Sequence, residues 1–285
     1  MKNRILNTKI KSGLIYSLLC VGIMVLITNC DPDETQTVAQ FNNLSWHDEF
    51  EVDGAPNSAM WTYDIGIGDN GWGNNELQYY TSRPENVVVE DGMLKITAIQ
   101  ESFEGSGYTS ARLLTKGLFE QQYGRFEARM KLPYGKGMWP AFWLLGSNID
   151  EVSWPFCGEI DVMENGGSNP TIVSGAVHGP GYSGGNPIKK EYAFENSRAD
   201  EFHIYGIEWG PSYINFYVDD VLYNQITPES LDAKDVDRSN WVFDNGPFYM
   251  LINLAVGGNF DGNPNADTVF PQTMYVDYVR VFSAN

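Results

Sequence analysis

The sequence predicts an all-β protein built from two stacked sheets. From Leu44 onward, apolar and polar residues alternate with a period of two, as they do in half-buried strands. The alternating segments are short and are separated by Gly, Asn, Asp and Pro, and none of them shows a helical period. So many strands in about 245 residues can bury their inner faces only by stacking two sheets or by closing a barrel, and we favour the sandwich.

The clearest strands are those in which the alternation is uninterrupted. They are predicted at residues 87–89, 94–99, 124–132, 213–218, 221–226, 248–256 and 274–282. The turn Glu90-Asp91-Gly92 joins the first two, and Asp219-Asp220 joins 213–218 to 221–226 in a compact hairpin. Segments rich in Gly and Asn, at 66–75, 179–186 and 257–265, are predicted to be long loops, where binding residues tend to lie.

The N-terminus is predicted to be separate from this domain. Four basic residues precede an apolar run at 13–28, and Asn29-Cys30-Asp31 follows, which is the layout of a lipoprotein-type export signal. We predict a signal peptide over 1–29, a lipidated Cys30 with a polar tether over 30–42, and a folded domain over 43–285. The chain is then an exported lipoprotein of the bacterial outer membrane or cell surface, held to the membrane only by its lipid. An ordinary signal peptide cut nearby would make it secreted.

The charge and the cysteine content limit which molecules the chain can bind and which disulfides it can form. The chain has 18 basic and 37 acidic residues, so its net charge is −19. Such a surface repels nucleic acid and favours a neutral partner. Of the cysteines, Cys20 is lost with the signal and Cys30 is lipidated, so Cys157 has no disulfide partner and is expected to be a packing residue. We expect a monomer with no catalytic cofactor.

Three acidic residues share one short predicted strand: Glu159, Asp161 and Glu164. Alternate side chains of a strand face the same side, so Glu159 and Asp161 point together. Glu164 lies at an odd offset from Glu159, and a regular strand would turn it to the opposite face. One extra residue, a β-bulge, would return it to the same face. We therefore predict a bulge between Asp161 and Glu164.

Carboxyl groups grouped in this way suit the cleavage of glycosidic bonds. Retaining glycosidases need two of them about 5 to 5.5 Å apart, and two Glu side chains can lean together over the shorter Asp161, which can hydrogen-bond Glu159. Crowding is expected to separate their pKa values, so that one group is protonated while another is ionised. The alternatives are an acidic strand facing solvent and a calcium loop. Apolar Val162 and Met163 between the acids favour a cleft, and the alternate oxygens around a Gly turn that a calcium loop needs are absent.

The motif Glu-Ile-Asp-Val-Met-Glu at 159–164 resembles the signature of glycoside hydrolase family 16, in its laminarinase-like (endo-β-1,3-glucanase) branch. Further matching segments are Gly71-Trp-Gly-Asn-Asn-Glu-Leu-Gln-Tyr-Tyr-Thr81, Ser110-Ala-Arg112, Gly137-Met-Trp-Pro-Ala-Phe-Trp-Leu-Leu145, His178-Gly-Pro-Gly-Tyr182, 202–209, 251–258 and 269–281. The resemblance covers most of residues 44–285. It implies a concanavalin-like β-jelly-roll sandwich of two curved antiparallel sheets with a concave substrate groove, and retention of configuration.

The resemblance also implies roles for individual residues. Glu159 would be the nucleophile, Glu164 the general acid and then base, and Asp161 the residue that tunes the nucleophile. The implied substrate-binding residues are Asn74, Arg112, Trp139, Trp143, His178, Trp209 and Asn253. From the residues alone, Arg112 would by default be a surface residue, His178 a buried one, and a tryptophan a core residue. The resemblance places Trp139 and Trp143 next to the catalytic strand, and it implies that they offer flat faces to sugar rings.

Members of the family often hold a structural calcium ion. The matching positions here would be backbone oxygens near Glu49 and Gly92, together with the carboxylate of Asp277. From the residues alone, Asp277 could also be a strand residue facing solvent.

The leading functional prediction is an endo-acting hydrolase of neutral β-1,3-glucan such as laminarin. Mixed-linkage β-1,3-1,4-glucan is the nearest alternative substrate. Agar, carrageenan and porphyran are further ones, although the negative charge disfavours the sulfated galactans. Transglycosylation is also possible. Outside the enzymes, the same fold serves glycan-binding lectins, and a structural surface lipoprotein is a third possibility. Intact Glu159, Asp161 and Glu164 favour the enzyme over both.

Overall fold

The computed structural model describes residues 41–284, which form one compact unit. The predicted signal peptide, Cys30 and all but the end of the tether lie outside the described residues. No helix within 41–284 is both long and apolar enough to cross a membrane.

Strands make up most of the described chain. They are β1 (Asn43–Asp48), β2 (Thr62–Tyr63), β3 (Gln78–Tyr80), β4 (Val87–Glu90), β5 (Met93–Phe103), β6 (Ser106–Ser110), β7 (Arg112–Leu114), β8 (Gly124–Lys131), β9 (Met138–Gly146), β10 (Glu159–Glu164), β11 (Ile172–His178), β12 (Ile188–Ala193), β13 (Phe202–Gly210), β14 (Tyr213–Val218), β15 (Val221–Ile226), β16 (Phe248–Val256) and β17 (Gln272–Ser283). Short helical turns occupy Gly71–Asn75, Ser147–Asp150, Pro228–Lys234 and Arg238–Asn240. The predicted strands are all present, and three of them have the predicted bounds.

The strands form two sheets, as the sequence predicts. One sheet has ten strands, with the path β15-β14-β13-β8-β17-β5-β6-β3, while β1 pairs with β17 and β4 with β5. The other has seven strands in the order β12-β11-β10-β9-β16-β7-β2. The pairing is antiparallel except between β3 and β6, which are parallel. The jelly-roll sandwich is thus confirmed, with one parallel pair that the sequence did not indicate.

The core lies between the two sheets. The central strand β16 shows how alternation builds it: Phe248, Met250, Ile252, Leu254 and Val256 all belong to the main core cluster. The intervening residues face the other side of the seven-stranded sheet, where Tyr249 and Leu251 join a smaller apolar cluster. All nine residues of β16 are buried, because one face meets the opposite sheet and the other is the floor of a groove.

Strand β10 contains the predicted bulge. Against β11, the register runs from Glu159 opposite His178 to Asp161 opposite Ala176, and then shifts before Glu164. Against β9, the shift falls between Asp161 and Met163. Both Val162 and Met163 are buried in the core cluster. Glu164 therefore returns to the groove side of the sheet.

Candidate active site

The structure brings Glu159, Asp161 and Glu164 together on the groove face of the seven-stranded sheet. Ile160 between the first two is fully buried on the core side. Asp161 is buried, whereas both glutamates are partly accessible. The sequence predicted this shared face, and the bulge is what makes it possible.

Glu159 and Asp161 meet a histidine from the neighbouring strand. His178 Nε2 lies 3.1 Å from Asp161 Oδ2 and 3.7 Å from Glu159 Oε1. His178 therefore sits against both acids. The pairing of β10 with β11 explains this arrangement, because His178 lies directly opposite Glu159.

Each glutamate also receives a hydrogen bond from a tryptophan. Trp154 Nε1 donates to Glu159 Oε2 at 3.0 Å, and Trp139 Nε1 donates to Glu164 Oε1 at 2.9 Å. Trp139 stacks almost parallel on Phe260, with ring centroids 5.1 Å apart. The two carboxyl groups are thus held by different partners at the two ends of the bulged segment.

Burial raises the pKa of all three carboxyl groups to about 8. For Glu159 and Glu164, the charge of Asp161 raises the pKa further and His178 opposes it. The cluster therefore retains protons at neutral pH, as an acid catalyst requires. Burial acts alike on all three groups, and an ionised neighbour makes the next proton harder to lose. Their hydrogen-bond partners are what differ.

The groove next to Asp161 is built around Trp143, which lies opposite Asp161 in the register with β9. Trp143 Nε1 donates to Asn253 Oδ1 at 2.8 Å, and Asn253 Nδ2 donates to the Tyr80 hydroxyl at 3.2 Å. The Tyr80 hydroxyl in turn donates to Glu76 Oε2 at 3.1 Å. This chain of hydrogen bonds holds the Trp143 ring, so the predicted groove positions of Trp143 and Asn253 agree with the structure.

Arg112 lies between two indole rings in the same part of the groove. Its guanidinium carbon is 4.8 Å from the ring centroids of both Trp143 and Trp72. Its Nε lies 3.0 Å from Asp64 Oδ2, and its side chain is only 12% exposed. Arg112 is therefore a partly buried groove residue and not a surface one.

Asn74 comes from the turn Gly71–Asn75, close to the end of β16. Its Nδ2 lies 3.3 Å from Glu76 Oε1, and its backbone oxygen accepts a hydrogen bond from Asn259. Gly71 has a φ of +60°, and a Cβ there would lie 2.5 Å from the backbone of Glu76. A glycine at this position lets the turn close tightly and present Trp72 beside Arg112.

Trp209 was predicted as a groove residue, and this prediction is wrong. It lies on β13 in the ten-stranded sheet and is fully buried. Its ring packs against Tyr123, Phe126 and Phe248. The register with β8 turns this side chain toward the core, and a motif match alone does not indicate which face of a strand a tryptophan occupies.

Several site residues were not selected from the sequence. Trp154 lies five residues before Glu159 and was not assigned to the site. Trp72, Glu76 and Tyr80 belong to the segment matched at 71–81, from which only Asn74 was chosen. Phe260 lies in the predicted loop 257–265. The matched motif at 71–81 and the glycine-rich loop at 257–265 could have indicated Trp72, Glu76, Tyr80 and Phe260 as site residues.

The residues predicted to hold calcium lie in neighbouring segments along one edge of β17. Along this edge β17 pairs with β5 through Val276 and with β1 from Val279 onward. Glu49 follows the end of β1, and Gly92 precedes β5, so both flank the break at Asp277. Asp277 Oδ2 is paired with Arg129 at 2.6 Å, and the Glu49 side chain is paired with Arg280. Asp277 Oδ1 remains outside the pair with Arg129, and a carboxylate oxygen is a ligand type that suits calcium.

A second group with metal-ligand chemistry is the catalytic cluster itself. One ligand atom each from Glu159, Asp161 and His178 lies within 4.8 Å of the others. Burial keeps protons on these carboxyl groups to about pH 8, so a cation would have to displace them.

Comparison with known proteins identifies relatives over the whole domain. A model of the glycosyl hydrolases family 16 matches residues 74–279. The beta-glucanase of Rhodothermus marinus is 45% identical over 245 residues, which are 84% of each chain. The laminarinase catalytic domain of Thermotoga maritima is 46% identical with a TM-score of 0.78, covering 85% of this chain and 98% of that one. The endo-beta-1,3-glucanase of Pyrococcus furiosus is 47% identical with a TM-score of 0.78, covering 85% and 95%.

A two-sheet β-sandwich with buried, closely grouped carboxyl groups in an aromatic groove defines the chain as a glycosidase. The matched segments of this groove and the extent of the similarity specify the family. The chain belongs to glycoside hydrolase family 16 and is laminarinase-like, as its motifs predicted.

Proposed function

We propose that the chain is an endo-acting, retaining hydrolase of β-1,3-glucan. The observation that carries this proposal is the bulged strand β10, which presents Glu159 and Glu164 to one groove beside Asp161 and His178. Relatives named beta-glucanase and laminarinase, similar over the whole domain, support the same substrate. An open groove suits cleavage within a long polymer.

The proposed reaction has two displacement steps. Glu164 donates its proton to the glycosidic oxygen while the Glu159 carboxylate bonds to the anomeric carbon, and the leaving chain departs as an alcohol. Glu164, now ionised, removes a proton from water, and the resulting oxygen displaces Glu159 from the sugar. His178 and Trp154 hold Glu159 in position for attack. Asp161 acts on Glu159 through its charge, which raises the pKa of Glu159 when Asp161 is ionised.

The first test is release of reducing sugar from laminarin, with lichenan and agarose alongside. Glu159→Gln and Glu164→Gln are each expected to lower the rate by at least about a thousandfold, since the paired acids act as a unit. Glu208→Gln, a half-buried glutamate of the ten-stranded sheet, is the matched control and should stay active. Equal activity in all three variants would refute the catalytic assignment. Binding without release by the wild type would instead indicate a lectin.

Azide distinguishes the two glutamates. With Glu159→Ala and an activated aryl glycoside, azide should attack from the vacated side and give a glycosyl azide of inverted configuration. With Glu164→Ala, azide should instead intercept the intermediate and give the retained product. The reverse pattern in the two variants would exchange the assigned roles.

We further propose that calcium binds at Asp277 with carbonyl oxygens near Glu49 and Gly92, and that residues 1–29 direct export with lipidation at Cys30. The first rests on the oxygen donors at the break in β17, and the second on the basic and apolar layout of the N-terminal sequence. Labelling with a radioactive fatty acid, lost in Cys30→Ser, would test the lipid anchor.

A further inference from the structure

Glu76 is an acid in the groove that neither displacement step uses. It lies at one end of a chain of hydrogen bonds whose other end is the indole of Trp143. We call the four linked residues, Trp143, Asn253, Tyr80 and Glu76, the Glu76 relay. Its two inner members are closed to solvent, since Tyr80 is fully buried and Asn253 is 6% exposed. The relay therefore connects Glu76 to Trp143 through the interior of the domain.

The direction of donation along the relay is fixed by which atoms can only donate. An indole N–H is a donor with no acceptor capacity, so the amide of Asn253 must turn its oxygen toward Trp143 and its nitrogen toward Tyr80. The Tyr80 hydroxyl accepts from that nitrogen, and its own proton is directed to Glu76 Oε2. Every bond thus points the same way, and Glu76 is the terminal acceptor.

A second chain of hydrogen bonds ends on the same carboxylate. The backbone nitrogen of Val256, at the end of β16, donates to Gln78 Oε1 at 2.8 Å. The amide nitrogen of Gln78 is thereby directed to Glu76 Oε2, to which it donates at 2.7 Å. Asn74 Nδ2 donates to the other oxygen of Glu76 at 3.3 Å. An ionised carboxylate is suited to this position, because it accepts on both oxygens and donates on neither.

The charge of Glu76 is balanced within the groove. Burial raises the pKa of Glu76, whereas the hydrogen bond from Gln78 and the charge of Arg112 oppose the rise. The guanidinium carbon of Arg112 also lies 4.8 Å from the ring centroid of Trp143. Arg112 and the Glu76 relay therefore act on the same indole, one through the ring and the other through its N–H group.

The other end of the relay lies beside the catalytic strand. Trp143 is opposite Asp161 in the β9–β10 register, and its one N–H group is engaged by Asn253. A hydrogen bond at the edge of an aromatic ring fixes how the ring is turned, which packing alone leaves freer. Cutting the relay at any link should therefore loosen the Trp143 ring next to the acids.

We propose that Glu76 is a positioning residue, which holds the Trp143 ring beside the catalytic acids by serving as the terminal acceptor of the Glu76 relay. Glu76 acts through Tyr80 and Asn253 and does not itself contact the sugar. The catalytic consequence rests on the proposed function: a ring that is free to turn misplaces the reacting sugar, and small misplacements are costly to the chemical step.

A double-mutant cycle on laminarin hydrolysis tests whether Glu76 acts through Tyr80. Glu76→Gln should lower kcat/KM about fivefold, and Tyr80→Phe about tenfold, which are losses typical of one hydrogen bond. If Glu76 acts through the relay, the double variant should lose about tenfold, because Tyr80→Phe has already cut the connection. Independent effects would multiply to a loss of about fiftyfold. The fall should appear mainly in kcat, since the rest of the groove still binds the polymer.

Glu101→Gln is the matched control. Glu101 is also a carboxylate that accepts from a hydroxyl group, that of Thr109 at 2.6 Å, but it lies on β5 outside the relay. This variant should keep the wild-type kcat and KM. A loss as large as that of Glu76→Gln would overturn the proposal, because the effect would then be one of overall charge or stability.

The indole N–H resonance of Trp143 gives a second readout that needs no substrate. It is assigned by its disappearance from the ¹H–¹⁵N spectrum of Trp143→Phe. Hydrogen bonds in a chain strengthen one another, so weakening the terminal acceptor in Glu76→Gln should move this proton resonance upfield. The indole resonance of Trp154, which donates to Glu159 outside the relay, should stay in place in the same spectrum.

The outcomes separate this inference from the proposed function. A loss of about fiftyfold in the double variant overturns the positioning role and leaves the hydrolase intact. A Trp143 resonance that stays in place in Glu76→Gln also overturns it, whatever the kinetics of Tyr80→Phe. If the wild type does not cleave laminarin, the proposed function fails, and the Trp143 resonance still decides whether Glu76 holds the ring.

Discussion

Glu159 and Glu164 are chemically identical side chains in one strand, and their surroundings separate them. Burial raises both pKa values to about 8. Glu159 contacts His178 and accepts from Trp154, whereas Glu164 accepts from Trp139 and lines a pocket with Ser174 and Glu191. Roles at this scale are therefore decided by neighbours more than by acidity.

The Trp154 hydrogen bond to Glu159 leads to a prediction about pH dependence. Trp154→Phe keeps an aromatic ring but removes the donor that lowers the pKa of Glu159. If the ionised form of Glu159 attacks, the acidic limb of kcat/KM should move to higher pH by about half a unit to one unit. A pH profile on laminarin measures the shift. Phe156→Leu, in the same segment, is the control, and a shift of the limb to lower pH would contradict the prediction.

The buried acids also predict how stability depends on pH. In the unfolded chain a glutamate loses its proton near its ordinary pKa of 4.5, but in the folded chain it keeps the proton to about pH 8. The folded state binds more protons between these values, so stability falls as pH rises through this window and stays reduced above it. The double variant Glu159→Gln with Glu164→Gln should remove this loss.

At pH 8 we expect the double variant to melt at least about 4 to 8 °C above the wild type, which corresponds to a gain of about 2 kcal/mol or more. At pH 4 the two proteins should melt at the same temperature, because the loss has not yet begun. Glu229→Gln is the control, since hydrogen bonds lower the pKa of this exposed group and its loss should not stabilise. A double variant that melts below the wild type at pH 8 would show that the carboxyl groups stabilise the fold.

At the scale of the element, the bulge in β10 is what gives the site its geometry. At their spacing of three residues, Asp161 and Glu164 share a face because Val162 and Met163 both turn toward the core between them. A strand that lacked one of these residues would alternate regularly and still present both acids to the groove. The bulge thus sets the distance between the acids along the strand as well as their common face.

Deleting Met163 tests this geometry. The shortened strand should keep Glu164 on the groove face, so weak laminarin hydrolysis should remain. The lost core side chain should cost about 2 to 5 kcal/mol of stability. Deleting Ile160 instead reverses the alternation between Glu159 and Asp161 and should abolish activity. Laminarin hydrolysis by the two deletion variants should be measured well below the melting temperature of each. Equal residual activity in the two variants would contradict the prediction.

At the scale of the whole molecule, the two sheets have different roles: the ten-stranded sheet supports the core, and the seven-stranded sheet carries the active site. The ten-stranded sheet carries Trp209 into the core, while the seven-stranded sheet carries the acids and Trp143 on its outer face. The proposed calcium site lies at the edge of β17 in the ten-stranded sheet, whereas the acids lie on the seven-stranded sheet. Its expected effect is therefore on stability and not on the chemical step.

Removal of calcium should lower the melting temperature without changing KM. A ligand at a hundred times its Kd stabilises a protein by about 2.7 kcal/mol, or about 5 to 10 °C here. Thermal unfolding with excess chelator and with millimolar calcium measures this, and Asp277→Asn should abolish the difference. Glu90→Gln is the control: it removes an acid paired with Lys95 in the turn beside Gly92, and it should keep the calcium-dependent difference in melting temperature. The same calcium shift in Asp277→Asn would place the ion elsewhere.

How much was predictable depends on whether a feature is local. Strands such as Tyr213–Val218 and Phe248–Val256 were bounded correctly, since alternation is visible in adjacent residues. The bulge was predictable because it follows from the spacing of three acids. By contrast, Trp209 was assigned to the wrong side, and Trp154, Glu76 and Phe260 were not selected.

The sequence by itself determined the all-β class, the family, the catalytic strand and its bulge, because these depend on period, motif and spacing along the chain. Only the tertiary structure decided which tryptophans face the groove, that His178 lies against both Glu159 and Asp161, and that Ser174 and Glu191 form a pocket with Glu164. These facts depend on register between strands that are distant in sequence. A shift of one residue in that register moves a side chain from the groove to the core.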